Sequence, residues 1–322
     1  LEKISTVVNI RHTAHDDWYG KFSQLTLIQA NQHYRNLEIN LHWPAAEMAK
    51  PQLTLTLPET QLKNLTASIT ALPIAKEIHS TLIGLAPQGK LHDFVLRLTV
   101  PEKNNLSFAS LQWHLSGRIN GFANNPWNKI PGVENIDLNI HTNANDGNIE
   151  VAANNLQIHA PHIFRAPLPT LQLMGIFNWQ VKSDGTIQIS SDNINITNQD
   201  VAINNQLKLQ IPPKQAPIHM ELQSDFTRGN VAATHHYLPV GVMKKPLIAW
   251  LDQALVAGDL ISGKVLLHGP VEEFPFRRQE GRFEAELHLK AVTLKYEKNW
   301  PPLTQAMGSI RFLGPGLIMD LQ

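Results

Sequence analysis

Cysteine is absent from all 322 residues, which removes disulfides, thiolate catalysis and cysteine-ligated metal in one step. Its absence also suits an oxidising compartment such as the periplasm, where stray thiols mispair. Charge is scarce. Charged residues make up 17% of the chain, against about 25% in an ordinary soluble domain. The 27 basic and 27 acidic residues balance, and no run of five or six like charges forms a patch for nucleic acid or an anionic membrane. Nucleic acid is therefore not an expected partner. No stretch approaches the roughly 20 apolar residues of a membrane-spanning helix. The start, Leu1-Glu2-Lys3-Ile4, carries neither an initiator Met nor the apolar core of a signal peptide. The chain reads as an excised segment, with any anchor or export signal outside it.

Catalytic signatures are missing as well. There are 15 histidines but no HExxH, and the close pairs, His159 with His162 and His235 with His236, lack a third ligand at metal-binding spacing. No metal site and no cofactor are expected. Neither a GxSxG elbow nor a phosphate-binding glycine pattern occurs. The acidic neighbours Asp16-Asp17 and Glu272-Glu273 would point to opposite faces of a strand rather than form a carboxylate dyad. An enzyme is not expected.

Alternation with a period of two is what the chain has in abundance, the mark of strands with one apolar and one wet face. It runs through Leu53 to Leu57, Leu96 to Val100, Ile136 to Ile140, Leu156 to Ala160, Ile187 to Ile189, Ile194 to Ile196, Leu207 to Ile211, Ile218 to Leu222, Phe283 to Leu289 and Val292 to Tyr296. Asn, Gln, Thr, Ser and His fill the polar phase, where His141, His219 and His288 read as solvent-facing decoration. Turns such as Asn145-Asp146-Gly147-Asn148 and Ser183-Asp184-Gly185 predict antiparallel hairpins. Two segments depart from the pattern. Ile74, Ile78, Leu82 and Leu85 predict a short amphipathic helix near 73–85, with Gly84 near its exit. Leu247, Ile248, Leu251, Ala254 and Leu255 predict a second over 246–257, begun by Pro246 and ended by Gly258.

Proline-rich joints at Ala160 to Pro169 and Ile211 to Pro217 look like corners rather than linkers, because patterned strands resume on both sides. The chain is therefore expected to be one continuous β segment over 1–322. Two short helices cannot cover the apolar face of roughly 18 to 22 strands of ordinary length. Such a sheet folds onto a second sheet, closes into a barrel, or stays open as a trough that borrows lipid or partner surface. Periodicity alone does not separate these, and the closed forms are the common solutions.

Resemblance favours the open form. The stretch Tyr237-Leu238-Pro239-Val240-Gly241-Val242-Met243, the run Leu247 to Gly258, Gly269-Pro270 with Phe274-Pro275-Phe276, Gly281-Arg282-Phe283 and Trp300-Pro301-Pro302-Leu303-Thr304 resemble the central periplasmic segment of the AsmA-like family. These are the TamB-related bridge-like lipid-transfer proteins. Leu72-Pro73 through Leu91 is similar to another element of that region, and the motif-bearing part spans 228–312. The resemblance implies a mostly β fold in which a long curved antiparallel sheet, with two short amphipathic helices, forms an open taco-like groove. It implies a periplasmic protein of the bacterial cell envelope, anchored in the inner membrane by segments outside this one, that conducts phospholipids between inner and outer membranes. Phospholipid acyl chains are then the expected partners, with further envelope proteins as candidates. Groove-facing candidates are Leu138, Ile140, Ile158, Ile189, Ile196, Leu209, Met220, Leu222, Leu287 and Leu289. Leu247, Leu251 and Leu255 would place the second helix as a groove cap. The matched Tyr237, Pro239, Trp250, Gly258, Phe274, Pro275 and Trp300 are expected to be structural. The runner-up reading is a structural or adhesive β-sandwich module of the envelope.

Overall fold

A computed structural model describes residues 3–29, 32–46, 48–70, 76–101, 111–213, 216–274, 276–314 and 316–322. The chain is mostly β. Its seventeen described strands belong to a single sheet, and every described pairing is antiparallel. A sandwich would need a second sheet. Among the described residues no helix is long and apolar enough to cross a membrane.

The chain divides into two compact units, Leu1–Trp127 with Asp137–Ile149, and Asn128–Ile136 with Glu150–Gln322. The first contains β1 (Lys3–His12), β2 (Trp18–Gln29), β3 (Gln32–Trp43), β4 (Gln52–Leu57), the two-residue β5 (Thr60–Gln61), β6 (Gln88–Thr99) and β7 (Gln112–Asn124). The strands β8 (Gly132–Asn143) and β9 (Asp146–His159) give residues to both units. The second unit holds β10 (Leu171–Val181), β11 (Ile187–Thr197), β12 (Val201–Ile211), β13 (His219–Asn230), β14 (Leu255–Pro270), β15 (Arg282–Leu294), β16 (Leu303–Leu313) and β17 (Gly316–Leu321). Each described register joins strands adjacent in the chain, except that β4 as well as β5 pairs with β6.

The strands are longer than the alternating segments suggested, because bulges interrupt the alternation without ending the strand. Ile187–Ile189 and Ile194–Ile196 are one strand, β11, with a register shift between Ser191 and Ile194. Two expected segments merge in β15 across Ala291, whose φ is +53°.

In the first unit, α1 (Leu62–Thr70) was not legible from the alternation, and α2 occupies Lys76–Leu85. The expected start of α2 at 73–75 lies outside the described residues. Gly84 stands one residue before the helix end, as expected, and has a second role: a Cβ there would lie 2.1 Å from the Trp127 indole, so the glycine lets that ring seat against the helix. The chain leaves α2 at Ala86, φ +43°. In the second unit a 3-10 turn (Val231–Ala233) leads into the one-turn α3 (Thr234–Tyr237), and α4 spans Lys245–Ala254. The latter ends three residues earlier than the stripe suggested. Leu255 has already left the helical region (φ −90°, ψ 88°) and begins β14. Gly258 is a strand residue at φ +128° whose Cβ would meet the Val292 Cα at 2.7 Å.

Two buried clusters lie under these helices. Leu62 and Leu65 of α1 pack onto Leu91, Phe94 and Ile119. Beneath α4, Val231, Ala254, Leu289, Val292, Leu294 and Ala306 form a core flanked by Trp250, Leu255 and Leu260.

Candidate functional site

Residues opposite each other on antiparallel strands point to the same side of the sheet, so the registers convert the alternation into rows that cross the strands. In the second unit one row runs Trp179, Ile189, Leu209, Met220. The next joins Leu207, Leu222, Leu267 and Phe283. A third, and the longest, runs Leu173, Ile196, Ile203, Phe226, Gly263, Leu287, Ile310, Met319. Nearly all of their large apolar side chains are half-buried by row neighbours, and Met319 on the last strand is exposed. They are not sealed as a core would be.

The first unit has equivalent rows: Ile10, Gly20, Leu41, Leu53, Leu98, Trp113, and beside it Val8, Phe22, Ile39, Leu55, Leu96, Leu115. These positions were not among the sequence candidates, although the same alternation marks them. The registers find them because they show which alternating segments share a face.

Seven candidates fall in the second unit's apolar face: Ile189, Ile196, Leu209, Met220, Leu222 and Leu287 within the rows, and Leu289 opposite Leu260 and Gly308. Leu289 differs, being only 4% exposed in the core under α4. In the first unit Leu138 and Ile140 pack beside the Leu91–Phe94–Ile119 cluster. Ile158 in β9 is half-buried. Of the capping candidates, Leu251 is half-buried on α4, Leu255 packs against the core from β14, and Leu247 is largely exposed. Trp250 and Ala254 make the helix's main contact, and the Trp250 indole N–H donates to the Tyr296 carbonyl at 3.1 Å.

The opposite face is polar and paired across strands. Asn204, Asp225, Lys264, Glu286 and Arg311 form one outward row, with Lys264 and Asp225 3.9 Å apart. His268 lies 3.8 Å from Glu221 in another. Neither acidic pair lies on a strand. Asp16 and Asp17 are in a turn, where the Ala45 N–H donates to Asp17 at 2.8 Å and holds its carboxyl below the usual range. Glu272 and Glu273 occupy a 3-10 turn. Among the described residues no cluster of three or more His, Cys, Asp or Glu is placed to hold a metal ion.

Polar residues also interrupt the apolar face. Asn205 and Ser224 sit opposite each other, buried, and Ser224 Oγ donates to Asn205 Oδ1 at 2.6 Å. Asn205 Nδ2 donates in turn to the carbonyl of Ile194, the residue at which pairing resumes after the β11 bulge, at 3.1 Å. The pair satisfies its own polar groups beside the bulge. A polar cavity of about 410 Å³ lies among Asp200, Arg228, Asn230 and Asp259, away from the apolar rows. Its guanidinium is committed to the carbonyls of Asn198 and Gln199, bracing the turn between β11 and β12.

Of the matched positions, Tyr237 hydrogen-bonds Asn198 and Asp200, and Phe274 stacks edge-on against Phe276 and Phe283. Pro275 lies outside the described residues. Trp300 is 61% exposed, packed edge-on against Tyr296.

A family model described as YhdP protein matches residues 1–322. A curated relative, the intermembrane phospholipid transporter YhdP of Escherichia coli (strain K12), is 21% identical over 233 residues, covering 72% of this chain and 18% of the relative. The chain thus spans a minor part of that relative's length. No solved structure matches it.

Proposed function

Given that this chain belongs to the YhdP protein family, we propose that it is one segment of an inner-membrane-anchored periplasmic protein that conducts phospholipids between inner and outer membranes. The acyl chains lie along the apolar rows, in an open taco-like groove, without cofactor and without reaction. One observation carries the reading: long rows of large apolar side chains cross the strands and stay half-buried or exposed, none of them sealed as the Leu91 and Val292 side chains are. Soluble proteins seldom leave a contiguous apolar surface larger than a few hundred Å² without a binding role. An acyl chain of about 16 carbons, at roughly 0.8 kcal/mol per buried CH₂, gains on the order of 10 kcal/mol on leaving water. Rows of near-equivalent Leu, Ile, Val and Phe offer many positions of similar energy, so a chain can move along them without a deep trap.

The test is a photo-crosslinker placed at Leu138, Ile196, Leu209 or Leu287 and, for comparison, at the sequence neighbours Asn139, Asn195, Lys208 or His288. Phospholipid adducts are expected from the first set. Adducts confined to the second set would mean that the apolar face is covered by protein and would sink the proposal.

A further inference from the structure

The apolar stripe of α4 is longer than the sheet surface it packs on. Leu247, Trp250 and Ala254, spaced three and four apart, share one helix face. Ala254 is 0% exposed, whereas Leu247, about 10 Å back along the axis, is 46% exposed. The loop after β15 lies against the same helix. It is held to α4 by the Trp250 bond to Tyr296 and by the Lys295 N–H donating to the Ala254 carbonyl at 2.9 Å. On it the Tyr296 and Trp300 rings pack 5.8 Å apart, both exposed. Val242, in the turn before the helix, is 60% exposed.

The same two segments carry Lys244, Lys245, Lys295 and Lys298, all exposed and none in an ion pair among the described residues. The acidic residue of α4, Asp252, is taken up by a two-bond contact with Arg165, each bond 3.0 Å, and Glu297, exposed in the loop, accepts the Lys298 backbone N–H at 2.8 Å, so the four lysines stand against one local carboxylate. In a chain of zero net charge, the two segments that carry the apolar and aromatic side chains thus bear a local excess of three positive charges, although the sequence contains no basic run.

We infer that this surface, the overhang of α4 with the 295–300 loop, docks on an anionic lipid surface. Tyr and Trp are at home at the boundary between headgroups and acyl chains. Lysine stems lie along apolar surface while their ammonium groups reach lipid phosphates. A nucleic-acid face would have little use for the exposed Leu247 and Val242. The site is separate from the apolar rows and does not rest on their carrying lipid.

Co-sedimentation of the whole chain with vesicles tests it. Vesicles of phosphatidylcholine with about a third phosphatidylglycerol should retain the protein, with binding that weakens as salt shortens the Debye length, and pure phosphatidylcholine should not. Replacing Lys244, Lys245, Lys295 and Lys298 with Gln, or Leu247 and Trp300 with Ser, should cut binding about tenfold or more. Ile196→Asn with Leu209→Asn, in the apolar rows, should leave it unchanged, which separates this surface from the proposed groove. Equal binding to neutral vesicles, or undiminished binding by both surface variants, overturns the proposal. Retention on soluble poly-glutamate through the same lysines, without vesicle binding, also overturns it and assigns the surface to an acidic protein.

Discussion

Tyr237 shows how much one side chain at the end of α3 holds together. Its hydroxyl accepts from Asn198 Nδ2 at 2.8 Å and donates to the buried Asp200 carboxylate at 3.0 Å. Burial pushes the phenol above its ordinary range, with Asn198 opposing and Asp200 adding to the rise. A raised pKa means that folding favours the protonated phenol. Its contribution is therefore complete below the unfolded value of about 10 and is lost as pH climbs through the raised folded value. Tyr237→Phe should cost about 1 to 3 kcal/mol at neutral pH, because Asp200 loses a donor where water is scarce. It should also flatten the alkaline limb of the stability profile, both read by urea unfolding across pH. Lys245 makes the opposite kind of test. It opens α4, the positive end of the helix dipole, where a cation is unfavourable. Lys245→Glu is expected to stabilise the fold by about 0.3 to 1 kcal/mol while weakening vesicle binding. A fall in both would tie the lysine to folding instead.

Among elements, α4 is two halves with different neighbours. Trp250→Ala removes a large side chain from the core contact and a hydrogen bond to Tyr296. A loss of about 2 to 4 kcal/mol is expected in denaturant titration. Leu247→Ser, one turn earlier, should stay within about 0.5 kcal/mol of the parent. The sequence shows the stripe but not this division, since periodicity says which residues share a face and nothing about how far the supporting sheet extends. The same limit explains other differences. The strands were legible because Leu, Ile and Val alternate with Asn, Gln and Thr over long stretches. Their true lengths were hidden by bulges at Ser191 and Ala291, which shift the phase as a turn would. The α1 helix stayed hidden because its Leu62 and Leu65 stand among Asn, Thr and Ser, weak helix formers that tertiary packing overrides.

At the scale of the whole chain, exposure and stability should part company. Leu289, sealed under α4, should cost about 2 to 5 kcal/mol on replacement by Ala. Leu209, half-buried in its row, should cost about 1 kcal/mol, since much of its apolar area already faces water. If the apolar rows carry lipid, Leu209→Asn should lower the unfolding midpoint by only a few degrees, far less than Leu289→Ala, and reduce phospholipid adducts at neighbouring Ile189 and Met220. Equal losses of stability at Leu209 and Leu289 would instead mark both as core.

The described pairings ask almost nothing of distant sequence, because each strand binds its immediate neighbour in the chain, apart from the step from β4 to β6. During synthesis, or passage through a narrow pore with the amino end leading, every emerging strand therefore finds its template already laid down beside it. Short loops close faster and at lower entropic cost than long ones. Each completed hairpin then resists backward sliding. Such a sheet works as its own ratchet, and it can gain or lose hairpins over evolutionary time without changing the direction in which the next strand runs.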